Sequence, residues 1–131
     1  MSDKPYFESR VQGDVRAEMV LDENNKPITS PGEKFTHYKV SLYLDTENPK
    51  VQSVTYKLDP TYYDPIREST DANEKFRVEL TTYGDYPVTV DAQVCGEIVR
   101  KVVPLSDLLQ QTYEGSVNPE IMSALSEIKA H

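Results

Sequence analysis

Apolar and polar residues alternate along most of the chain, in short runs closed by turn residues. Val15, Ala17, Met19 and Leu21 share one side of a run at 14–21, the period of two that sends successive side chains to opposite faces of a strand. Tyr38, Val40, Leu42 and Leu44 repeat it most clearly, with Lys39, Ser41, Tyr43 and Asp45 opposite. Further strands are expected at 52–58, 76–81, 88–94 and 98–103. Asp22 to Pro27 and Thr46 to Pro49 have turn composition, Ile28 to Gly32 reads as loop, and Cys95-Gly96-Glu97 reads as a hairpin turn. Glu68 to Glu74 reads as a polar excursion.

No stretch between these runs has room for a crossover helix, so a parallel βαβ arrangement is excluded. A single sheet would leave its apolar faces wet, and two packed sheets cover them. The expected fold is all-β, an immunoglobulin-like β-sandwich, without the Cys-Trp-Cys signature of true immunoglobulin domains.

The pattern changes after Pro104. Pro104 to Gln111 reads as a short helix. Asn118-Pro119-Glu120 then supplies an N-cap, a first-turn proline and an early acid. Ile121, Met122, Leu125 and Ile128 follow as one apolar stripe. A helix of about eleven residues is marginal alone in water, so it either packs over its own domain or engages a partner chain. The division expected is a sandwich over 1–104 and a helical extension over 105–131, packed on or beside it.

Two interruptions of the alternation stand out. Leu58-Asp59-Pro60-Thr61-Tyr62-Tyr63-Asp64-Pro65-Ile66-Arg67 follows a strand and is bracketed by prolines, which end a ladder. Thr82-Tyr83-Gly84-Asp85-Tyr86-Pro87 also follows a strand and sets tyrosines around a glycine. Together they could wall a narrow slot, or fold back as structural loops.

Composition narrows the partners. The chain has 131 residues, nine tyrosines, no tryptophan and a net charge of −8. That sign disfavours direct binding of nucleic acid and suits a basic protein partner, or simply solubility. The single Cys95 rules out an internal disulfide. No run reaches membrane-spanning length and no leader-like segment follows the N-terminus, so a reduced, cytoplasmic protein without membrane contact is expected. His37, His131 and Cys95 form no zinc spacing, and neither a phosphate loop nor a GxSxG motif occurs. No metal, cofactor or catalytic residue is therefore expected; among enzymes, only His37 paired with some serine could serve.

The two loops resemble those of the YEATS domain, an immunoglobulin-like sandwich that reads acylated lysine on histone tails. Leu58 to Arg67 is similar to the family's Leu-His-x-Ser-Phe-x-x-Pro-x-Arg segment, Thr82 to Tyr86 to its Gly-aromatic-Gly loop, and Phe35-Thr36-His37-Tyr38 to its segment before the first long strand. The resemblance covers about 33–103 and looks like a divergent prokaryotic member. It implies an acyl group held between Tyr62 and Tyr83, with Phe35 flanking its tip and His37 packed beside the slot. Thr61 would contact the amide, and backbone groups near Tyr83 and Gly84 would complete its recognition. Asp59 and Asp85 complete the candidate site, Asp59 standing where the family has histidine. That change removes an imidazole donor and sets a carboxylate at the pocket mouth, which favours a cationic or hydroxylated ligand. The leading reading is thus a non-enzymatic binding module for a modified-lysine peptide or other small planar ligand. The alternative is an interaction or scaffold domain acting through an edge strand or the terminal helix, its aromatic loops purely structural.

Overall fold

The longest alternating run forms the longest strand. The computed structural model describes residues 6–32 and 34–131, and in it β3 (His37–Thr46) buries Tyr38, Val40, Leu42 and Leu44. β1 (Gly13–Met19) pairs antiparallel with β3, from Gly13 opposite Thr46 to Met19 opposite Val40. The two-residue β2 (Thr29–Ser30) continues that side against Tyr38 and His37. The other side of β3 takes β6 (Val78–Thr82).

The second sheet has β4 (Val51–Lys57), β5 (Ile66–Ser69), β7 (Pro87–Val94) and β8 (Glu97–Pro104). Its order is β5-β4-β7-β8, antiparallel throughout. The inner faces meet in one apolar core, in which Val15, Ala17 and Leu42 join Val54, Tyr56 and Val90. The fold is therefore the expected β-sandwich. Tyr56 is fully enclosed and donates its hydroxyl hydrogen to the Phe76 carbonyl at 2.8 Å. Burial pushes its phenol pKa well up, keeping it neutral. Between β7 and β8 the turn residues Cys95 and Gly96 have φ of 53° and 79°, the paired positive values of a tight type I′ hairpin.

Three short elements lie where the alternation gave no strand or helix. α1 (Tyr6–Val11) buries Phe7 and Val11, one turn apart, and polar contacts fasten it to β8. Glu8 and Asp14 each accept from the Lys101 ammonium at 2.8 Å, while Tyr6 and Arg10 donate to Glu97. β5 occupies part of the expected polar excursion. As an edge strand with no fully buried residue it has no apolar alternation to read. β2 is too short to show any.

The chain's last segments are helical. α2 (Leu105–Thr112) buries Leu105, Leu108 and Leu109 and runs beside β1. Thr112 Oγ1 donates to the Ala17 carbonyl, and the Met19 N–H donates to the Tyr113 hydroxyl at 2.8 Å. α3 (Pro119–Ala130) buries Ile121, Ala124, Leu125 and Ile128, while Met122 of the expected stripe stays 46% exposed. The Asn118 side chain caps it by accepting from the N–H groups of Glu120 and Ile121. Tyr38 of β3 donates its hydroxyl hydrogen to Glu127 Oε2 at 2.9 Å. Burial first, and the Glu127 carboxylate second, push the Tyr38 phenol up to about 12. Among the described residues no helix is long and apolar enough to cross a membrane.

Candidate functional site

Strand register gathers two loops at one end of the sandwich. Tyr38 at the start of β3 lies opposite Thr82 at the end of β6, and Lys57 at the end of β4 lies opposite Thr89 near the start of β7. The 58–65 loop, the 83–86 loop and the residues leading into β3 therefore adjoin.

The first loop is closed at its neck by the Leu58 N–H donating to the Pro65 carbonyl at 2.7 Å. Within it Asp59 Oδ1 accepts from both the backbone N–H and the hydroxyl of Thr61, at 2.9 and 2.8 Å. These two bonds, the backbone one foremost, hold the Asp59 carboxyl below its ordinary range. They also decide what Thr61 offers. Its proton is directed to Asp59, so toward a ligand the hydroxyl acts as an acceptor.

Tyr62 is held from several directions. Its hydroxyl donates to the Thr81 carbonyl at 2.7 Å and accepts from the Tyr86 hydroxyl at 3.0 Å. The Tyr86 ring meets it edge-on at 5.7 Å, and the Arg67 guanidinium lies 5.8 Å over it. Burial, reinforced by the Tyr62 hydroxyl, pushes the Tyr86 phenol far up.

The second loop is tied down at both ends. Thr82 Oγ1 donates to the Gly84 carbonyl at 2.7 Å and accepts from the Gly84 N–H at 3.2 Å. The carboxylate of Asp85 accepts from the N–H and the hydroxyl of Ser106, at 2.9 and 2.8 Å. α2 starts after Pro104, which has no capping side chain, so Asp85 satisfies an otherwise orphaned N–H of its first turn. Gly84 has no positive φ; its need is space. A Cβ there would lie 2.8 Å from the carbonyl carbon of His131.

The rings sort into two groups. Tyr83 stacks on Phe35 with centroids 5.0 Å apart and planes 7° from parallel, and His37 tilts against Tyr83 at 5.4 Å. His131 meets Phe35 at 4.3 Å. Tyr62 and Tyr86 form the second group. An open cavity of about 330 Å³ lies at this end of the sandwich. His37, Asp59, Thr61 and Tyr62 line it with Tyr83, Gly84 and Asp85. Of the residues singled out from the sequence only Phe35 is not in the lining, its ring being engaged by Tyr83 and His131. The lining adds Tyr63, Thr81, Thr82, Tyr86 and His131. Tyr86 was legible as a member of the second loop. His131 had no local signal, because its place depends on how α3 packs. Among the described residues no group of His, Cys, Asp and Glu is arranged to hold a metal ion.

Comparison with known proteins adds a family likeness. Residues 38–100 match the model of the prokaryotic YEATS domain. Among solved structures, the Yaf9 YEATS domain recognising an H3K122suc peptide is 14% identical, with 87% of this chain and 88% of that chain covered at a TM-score of 0.52. The yeast AF-9 homolog protein Yaf9 is 15% identical at a TM-score of 0.50. This chain covers 71% of itself in that match and spans 63% of the Yaf9 chain. No curated protein matches the sequence. The matched stretch holds β4 to β7 with both tyrosine loops, and over it this chain is similar to the prokaryotic YEATS domain.

Proposed function

We propose that the chain is a non-enzymatic binding module that takes an acylated lysine side chain, or a planar group of similar size, into the cavity between the two tyrosine loops. The observation carrying this reading is that the loops do not collapse on each other. Tyr83 remains 46% exposed beside an open cavity that Tyr62 also lines, so aromatic surface is available to a ligand. A neutral amide costs far less to desolvate there than an ammonium. Thr61, its proton committed to Asp59, can accept the amide N–H. The Yaf9 domain of the same fold recognises a modified-lysine peptide, which supports the same ligand class here. The Gly84 N–H is already engaged by Thr82, so recognition of the acyl carbonyl falls to other groups of that loop.

Docking through the terminal helix is the weaker reading, because Ile121, Leu125 and Ile128 are buried within the domain. The test is an NMR titration with acetyl-, crotonyl- and unmodified-lysine peptides. Acyl peptides are expected to shift Tyr62, Tyr83 and Gly84 saturably. Tyr62→Ala is expected to weaken them by about tenfold or more, the scale of one lost aromatic stacking partner. A stronger response to unmodified lysine would assign the site to a cation attracted by Asp59, and silence toward every peptide would remove lysine recognition altogether.

A further inference from the structure

α3 lies outside the residues matched to the family, yet it reaches the cavity. Its position is fixed along its length: Ile128 is fully buried, and Glu127 accepts from the Tyr38 hydroxyl. The next residue after the helix, His131, is thereby set against the second tyrosine loop. Its backbone rests on Gly84 so closely that a Cβ on residue 84 would meet its carbonyl carbon at 2.8 Å and its own Cβ at 3.1 Å. Its ring lies 4.3 Å from Phe35, tilted by 46°.

The consequence is a change of wall. Phe35, the residue placed by sequence at the acyl tip, does not reach the cavity lining, whereas His131 does. We propose that His131 is a ligand-facing wall of the aromatic cavity and sets the length of acyl group it admits, a role that rests on the binding reading above. The cavity stays open, at about 330 Å³ with His131 in its lining, so this residue bounds the space rather than filling it. A short acyl group passes between Tyr62 and Tyr83 and ends against the imidazole. A longer one meets that ring, and Gly84 is the position that lets α3 bring it there.

The experiment measures Kd for peptides carrying acetyl-, crotonyl- and hexanoyl-lysine, on the full chain and on His131→Ala and His131→Phe, with amide spectra confirming the fold of each variant. The unaltered chain is expected to prefer the shorter groups. His131→Ala is expected to move the hexanoyl-to-acetyl affinity ratio toward hexanoyl by about tenfold or more, the discrimination that a methylene-sized change in a pocket brings. His131→Phe, which restores a flat wall, is expected to restore the preference. Binding by the unaltered chain with the same length series in His131→Ala overturns the role of His131 and leaves the slot reading standing. Binding gained only on removing His131 also overturns it, since the ring would then be a plug. No binding by any of the three proteins overturns the slot reading itself, and this role with it.

Discussion

Asp91, on β7, is nearly buried yet faces two cations. Its carboxylate accepts from Arg100 at 2.7 and 3.0 Å and lies 3.4 Å from the Lys57 ammonium. The Arg100 hydrogen bonds are the main reason its pKa lies below the ordinary 3.8, against an opposing push from burial. A carboxyl whose folded pKa is depressed stabilises the fold above its unfolded value, and that contribution is lost as pH falls through the lower folded value. Acid unfolding is therefore expected to steepen below about pH 4. Asp91→Asn should flatten that limb and cost about 1 kcal/mol at neutral pH, both cations being well exposed; urea melts at pH 7, 4 and 3 check this. Asp59 shows how far a single position could be read. Its carboxylate at the pocket mouth was visible in the sequence, but its capture of the Thr61 proton was not, since that depends on the turn the loop adopts.

At the scale of elements, alternation located the strands that bury one face, because β3, β4, β6, β7 and β8 each set apolar residues against the opposite sheet. It missed α1, whose two buried residues, Phe7 and Val11, are too few to show a period. It also missed β5, an edge strand with no fully buried residue. The helix at 119–130 was legible from its Asn118-Pro119 start and its stripe, although Met122 faces outward. Where α3 would deliver its end was not legible, because a helix pattern fixes a face and not a destination. Gly84 is the contact through which α3 and the second loop constrain each other. Gly84→Ala is expected to push the end of α3 away at a cost of roughly 1–3 kcal/mol, as overpacking does where backbone must shift. Hydrogen exchange should then quicken over 124–131 while β3 and β7 stay protected.

Across the whole molecule, residues far apart in sequence complete each other. Among the described residues β1 pairs with β3 alone. Its outer edge is closed by Thr112 and Tyr113, which bond Ala17 and Met19 from more than ninety positions further along. Glu8 and Asp14 wait similarly for Lys101. Unpaired strand edges invite pairing with other chains, and such long-range closure slows folding. A chain ending at Pro104 is thus expected to self-associate in sedimentation experiments where the full chain sediments more slowly. Read in time rather than space, β1 emerges from the ribosome long before the residues that shelter it. During synthesis its bare edge must wait for more than ninety further residues, and the threonine and tyrosine that seal it arrive together, one residue apart.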